Sequence, residues 1–254
     1  MAVFNSVIGD HIITLQSIGS TNEYLQAEIK KGVDIVDGTV IVARHQFAGK
    51  GLETNKWESA PGKNLILSVF LKPAFLKAQD QFMLNKMVSL SVLDFINSIS
   101  TTTSNKVKWP NDIYMDDKKV SGILINNTIG GNDILFSIIG IGINVNQQAF
   151  ESDAPNPVSL TQIVNIELEL DRCLNSLISF LNIRYQQMKS SEIQKINTDY
   201  LNSLYRYNEY HFFYFNNCKI KARIIGLGEY GKLKLIREDQ STIECDMKEI
   251  QFIL

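Results

Sequence analysis

Cysteine, histidine and long apolar runs are all in short supply in this 254-residue chain, and each shortage removes a class of function. The three cysteines, Cys173, Cys218 and Cys245, stand far apart with no C-x-x-C pair. That argues against a disulfide framework or a cysteine zinc site and points to a reducing, cytoplasmic setting. His11, His45 and His211 lack metal-ligand spacing. The longest apolar stretches, "LILSVFL" and "ILFSIIGIGI", fall well short of the roughly 20 residues a membrane-spanning helix needs. The N-terminal "MAVFNSVIGDHIITLQSIGS" has no basic segment, and Asp10 and His11 interrupt it, so it does not read as a signal peptide. Lysine and arginine total 25 against 27 acids, a net charge of −2, which gives no bulk attraction to nucleic acid or anionic membrane. No G-x-S-x-G and no G-x-x-x-x-G-K-[ST] occurs. "GLGEYG" at 226–231 matches G-x-G-x-x-G, but "KLKLI" behind it alternates like a strand. A dinucleotide fingerprint must open a helix, so this one reads as a β-turn.

What is present orders itself along the chain. A first strand is expected over 11–18. Ser20 then precedes Glu23 at capping-box spacing, ahead of a helix closed by Gly32. Strands are expected over 38–46 and 64–72, a long amphipathic helix over 80–100, and a hairpin of 120–129 with 134–145 across "GGND". "PNDIYMDDKK" reads as a turn and "QQAFESDAPNPVS" as a polar loop, with helices to follow near 171–188 and 191–205. The last fifty residues switch to short strands, a pattern that suggests a small barrel. The fold expected is α+β: a mixed-sheet domain with helices over 1–205 and a small β-barrel module over 206–254.

Two stretches carry chemistry. In "RHQFAGKGLETNKWES" a strand runs into Gly49-Lys50-Gly51, a loop able to hold an anion on backbone N–H groups, followed by Trp57. In "VKWPNDIYMDDKKVSGIL", Pro110 stiffens the backbone beside Lys108 and Trp109, and Asn111 and Asp112 offer an amide and a carboxylate. Lys119 opens the next strand and Gly122 permits close backbone approach. Lys108 and Lys119 could together neutralise phosphate and carboxylate oxygens. Locally, a proline turn with solvated lysines explains the pattern equally well.

Read in order, "STN" at 20–22, "HQFAGKG…W", "KWPNDIY…KKVSGIL" and "GIGINVN" resemble the biotin–protein ligase family, over most of the chain. The "KWPND" block and "GIGIN" are the specific parts. The resemblance implies a class II synthetase-like catalytic domain with an SH3-like C-terminal barrel, and a form without the DNA-binding domain of the family's repressor members. It also implies a reaction in two steps. Biotin's carboxylate attacks the α-phosphate of Mg-ATP to give biotinyl-5′-adenylate and pyrophosphate; a lysine of a biotin carboxyl carrier domain then attacks the mixed anhydride. Carried over by position, Ser20, Thr21, Asn22, Gln46, Lys50, Gly51, Leu52 and Lys119 would meet biotin. Gly49, Trp57, Lys108, Asn111, Gly122, Gly142 and Asn144 would meet the nucleotide. Lys108, Lys119 and Asp112 would serve catalysis, with Asp112 on the Mg²⁺ side. The family pairs through its catalytic sheet near the same loop; for this chain a monomer or weak homodimer is expected, with neither nucleic acid nor membrane as partner.

The loop departs from the family's G-R-G-x-x-G. Lys50 replaces the arginine, Leu52 and Glu53 stand where further arginine is usual, and Thr54 replaces the third glycine. Lysine keeps the charge and loses the bidentate fork, so a slower or leakier ligase is expected rather than a dead one. A lipoate–protein ligase and a non-catalytic biotin or adenylate binder are the rival readings.

Overall fold

The computed structural model describes residues 8–52, 55–101, 103–151, 156–190 and 192–253. Glu53 and Thr54, and the first seven residues, lie outside the described residues.

"LILSVFL" explains the architecture best. All seven residues of this strand, β5 (Leu65–Leu71), are buried, as a continuous apolar strand must be when both faces are covered. The preceding elements are β1 (Ile12–Leu15), helix α1 (Thr21–Lys30), β2 (Val40–Ala43) and a two-rung hairpin of β3 (Gly49–Lys50) with β4 (Lys56–Trp57). After β5 come helix α2 (Phe82–Ile99), β6 (Asn105–Lys108), β7 (Asp112–Met115), β8 (Lys118–Gly130) and β9 (Asp133–Ile143). These build one seven-stranded sheet in the order β1-β2-β5-β9-β8-β7-β6, in which only the β1–β2 pair is parallel. Leu25 of α1 packs with Ile41, Phe70 and Ile138 on one face. The other face carries the large core, shared with α2, α4 (Leu170–Lys189) and α5 (Ile193–Ser203). Arg184 ties those three helices together, reaching Asp94 and Asp199 at 2.6 Å each.

Two local expectations change. "PNDIYMDDKK" is not a single turn: Asp112–Met115 is a sheet strand between β6 and β8. Ile113, Tyr114 and Met115 are fully buried, and the polar residues around them only mark the ends of a short strand. A further helix, α3 (Leu160–Val164), opens with a capping box between Ser159 and Gln162.

Five strands follow: β10 (Tyr210–Phe215), β11 (Cys218–Leu227), β12 (Leu233–Arg237), β13 (Thr242–Cys245) and β14 (Ile250–Phe252). They pair antiparallel in the order β13-β12-β11-β10-β14, so among the described residues β13 and β14 remain edges and the expected barrel is not closed by pairing. Aromatic side chains pack at the β10–β14 edge instead. Phe213 meets Phe252 edge-on at 5.1 Å, and Tyr205 lies 6.4 Å from Phe252. "GLGEYG" forms the β11–β12 connection, a single 3₁₀ turn with positive φ at Tyr230 and Gly231. The carbonyl of Gly231 accepts a 2.9 Å hydrogen bond from the Trp109 indole, which fastens the module to the sheet.

Candidate active site

Register places the site. Lys108 pairs with Asp112, Asp112 with Gly122, Gly122 with Gly142 and Gly142 with Ile66, so these residues form one row across five strands. Directly paired residues point to the same face. The next row on that face joins Leu124, Gly140 and Ser68. Glycines at 122, 140 and 142 therefore clear a trough in the sheet surface. A methyl group at Gly140 would come within 2.7 Å of the Asn22 side chain, and one at Gly122 within 3.1 Å of the Trp57 ring. At Gly142 it would overlap the Trp57 indole outright. The cavity that remains has a volume of about 130 Å³.

One end of the trough is neutral and rich in hydrogen-bonding groups. Ser20 caps α1 by accepting from the Glu23 N–H, which holds Thr21 and Asn22 over the sheet. The Thr21 N–H donates to Gln46 Oε1 at 2.9 Å. Ser68 Oγ lies 2.6 Å from Thr21 Oγ1 and 2.5 Å from Asn22 Oδ1, and the Asn22 amide donates to the Leu124 carbonyl at 3.2 Å. All five of these side chains, Ser20, Thr21, Asn22, Gln46 and Ser68, are buried. Buried polar groups are costly unless partnered, and each of these is partnered; Ser20, Thr21, Asn22 and Gln46 line the cavity wall, with Ser68 behind Thr21 and Asn22.

The other end is charged. Lys119 Nζ lies 2.6 Å from Asp112 Oδ1 and 5.9 Å from the centre of the Trp57 ring. Asn111, beside this pair, donates to the Ile123 carbonyl at 2.5 Å. The indole Nε1 of Trp57 is buried with no hydrogen-bond partner among the described residues, a donor left unsatisfied against the trough floor.

The hairpin β3–β4 forms the roof. Gly49 packs so closely on Trp57 and Gln46 that a side chain would collide with both. Gly51, Leu52 and Asn55 line the cavity mouth. Lys50 does not point at the charged end; its ammonium is ion-paired with Glu23. Glu23 is thereby diverted from closing the capping box that its spacing allows.

Three expected residues lie elsewhere. Lys108 faces a neighbouring cleft of about 410 Å³ that it shares with Asn111, Asp112, Met247, Gln251 and Phe252. Its ammonium sits 5.1 Å from the Tyr114 ring and 5.2 Å from the Phe252 ring. Burial there lowers the Lys108 pKa, with Lys119 and Arg206 adding to the effect and Asp112 opposing it. Asn144 does not line the cavity: its amide donates to the Val158 carbonyl at 3.1 Å and holds the loop after β9. Gly49 lies behind the wall that Gln46 and Trp57 present. Conversely, Ser68 and Gly140 take part without having been singled out in the sequence. The available signal for Ser68 was a lone hydroxyl inside an otherwise apolar strand.

A family model, Biotin/lipoate A/B protein ligase family, matches residues 14–144, just over half of the chain. The chain is 30% identical over 183 residues to the bifunctional ligase/repressor BirA of Escherichia coli, a match covering 70% of this chain and 53% of that protein. To the biotin–[acetyl-CoA-carboxylase] ligase of Mycobacterium tuberculosis it is 31% identical over 178 residues, covering 69% of this chain and 64% of the relative. It thus spans between about half and two thirds of these relatives' lengths. Among solved structures, a biotin protein ligase from Aquifex aeolicus in complex with biotin and ATP is similar with a TM-score of 0.79 at 25% identity, over 96% of this chain and 99% of that one. The matched segment contains every glycine of the trough and both residues of the Asp112–Lys119 pair, and the chain belongs to the Biotin/lipoate A/B protein ligase family.

Proposed function

We propose that the protein activates biotin with ATP to biotinyl-5′-adenylate and transfers the biotin to one lysine of a biotin carboxyl carrier domain. The observation that carries this reading is the polarity of the trough, neutral hydrogen-bonding groups at one end and Lys119 with Asp112 at the other. Biotin has the complementary order: a cyclic urea, an apolar chain, a carboxylate. The urea exchanges hydrogen bonds with Ser20, Thr21, Asn22 and Gln46, which Ser68 holds in place from behind, the chain crosses the glycine-cleared floor, and the carboxylate meets Lys119. The complex of the similar Aquifex aeolicus biotin protein ligase with biotin and ATP supports the same substrates here.

The first step brings two anions together, and a fixed cation at the point of approach is the main requirement. The Lys119 ammonium fills that role for the carboxylate and the α-phosphate. A carboxylate oxygen bonds to the α-phosphorus as the bond to pyrophosphate breaks. Mg²⁺ enters with ATP as part of the substrate; such ions use one or two protein carboxylates and complete their shell with phosphate and water. Asp112 is the one carboxylate among the described residues lining the cavity, and with Asn111 it suits that contact. Lys108 is assigned to the departing phosphates in the adjoining cleft, while Trp57, Gly122 and Gly142 flank the nucleotide, with Asn144 and Gly49 supporting them from behind. The hairpin with Lys50, Gly51 and Leu52 closes over the adenylate and keeps water from hydrolysing it. The carrier lysine then attacks the acyl carbon and expels AMP. The described cysteines are all free, and the reaction is assigned to the cytoplasm, run by a monomer or weak homodimer.

The test is intact-mass spectrometry of a purified carrier domain after incubation with this protein, Mg-ATP and biotin. One biotin added to one lysine is expected. Modification with lipoate but not biotin would transfer the reading to the other branch of the family, and no modification with either would refute ligase activity.

A further inference from the structure

A further cavity lies away from the trough. It is a groove of about 640 Å³ between α2, the end of α4, the start of α5 and the β11–β12 turn, within the ordinary size range of small-molecule sites. Phe75, Phe82, Met83, Met188 and Tyr230 give it apolar walls, and Tyr230 is held in positive φ and is 61% exposed.

Of the charged groups lining it, Lys86 is half-buried, while Asp80, Lys189 and Glu229 are exposed to solvent. Lys86 Nζ is 2.6 Å from Asn197 Oδ1 and 5.9 Å from the Phe82 ring, and among the described residues it has no ion-pair partner. Asp94 and Asp199, the acids of the same helices, are both committed to Arg184. Burial alone lowers the Lys86 pKa, with no neighbouring carboxylate holding it up. An ammonium with three donors and one neutral acceptor, half sunk among aromatic rings, is poorly compensated. Asp80 and Glu229 line the same groove and are exposed. They disfavour a polyanion such as a phosphate ester, and leave room for a single negative charge at Lys86.

We infer that this groove is a binding site for a small amphipathic monocarboxylate, its carboxylate on the Lys86 ammonium and its apolar body against Phe75, Phe82 and Tyr230. The ligand bridges the helical layer and the C-terminal module at the turn whose Gly231 carbonyl already accepts from Trp109. The site is independent of the ligase reading, since none of its residues lines the trough.

Isothermal titration of the whole protein with 4-phenylbutyrate, and with the neutral 4-phenylbutanamide, tests it. The acid is expected to bind one to one and the amide roughly ten to a hundred times more weakly, the range for a hydrogen bond to a charged group. Lys86→Met should bring the acid down to the affinity of the amide and leave the amide unchanged. The variant relieves a buried charge, so a melting temperature equal to or above that of the parent checks that it folds. Saturation with biotin should not displace the acid. No heat at millimolar acid, equal affinity for acid and amide, or displacement by biotin would overturn the proposal. So would a concentration-dependent dimer, seen in sedimentation and abolished by Tyr230→Glu, which would make the groove an interface between copies.

Discussion

Lys119 Nζ lies 2.6 Å from an Asp112 oxygen, with the two side chains only 23% and 18% exposed, and both face the same trough. An ion pair this sheltered costs desolvation to form and is expensive to break from one side. Under the proposed reaction its value lies in position: a cation is held, already oriented, where the two substrate anions would meet. Lys119→Met is expected to lower the rate of biotin-dependent adenylate formation by about 10²–10³-fold. It also strands Asp112, so the melting temperature should fall. Adding Asp112→Asn should recover much of the stability and none of the rate. Stopped-flow measurement of adenylate formation, with calorimetry on both variants, checks the separation.

Gly142 lies under the Trp57 indole, with no space for a methyl group. Gly142→Ala should push the indole off the floor and weaken biotin binding by at least about tenfold, the scale of one lost set of buried contacts. Isothermal titration reads the affinity. An unchanged affinity would mean that Trp57 leaves the floor freely when ligand enters.

Lys108 is half-buried against Tyr114 and Phe252, and that desolvation lowers its pKa. The unfolded chain therefore holds a proton that the folded one lacks in the window between the two pKa values. There stability rises with pH, and below that window the charged form is a standing cost. Lys108→Met should raise the melting temperature at neutral pH and remove this pH dependence. If Lys108 serves the departing phosphates, the same variant should lose adenylation rate. A variant both less stable and fully active would contradict both parts.

Leu52 lines the trough and the neighbouring cleft, while Lys50, two residues before it, is drawn to Glu23. Leu52→Arg should supply the missing charge at the mouth and slow the release of biotinyl-adenylate several-fold. A filter or quench assay of the preloaded complex measures it.

The sequence made the strands and helices legible where periodicity was strong, as in α2 and the β8–β9 hairpin. It misled at "PNDIYMDDKK", because a four-residue strand between two polar turns has too few residues to display its period, and only its neighbours bury Ile113, Tyr114 and Met115. Motifs located both ends of the trough. What they could not supply was register, which puts Gly122, Gly142 and Ile66 in one row and gives Ser68, far from every motif, a place beside Thr21 and Asn22. Side-chain direction was equally hidden: Lys108 is adjacent to the trough in sequence terms yet turns into the next cleft, and Lys50 pairs with Glu23.

The central claim is adenylation of biotin in this trough, and isotope exchange between pyrophosphate and ATP tests it most directly. Purified protein is assayed with biotin, with lipoate and with neither. Exchange that requires biotin and disappears in Lys119→Met is the expected result. Exchange absent under every condition, from a protein that still binds biotin, would contradict the account and leave a binder in place of an enzyme.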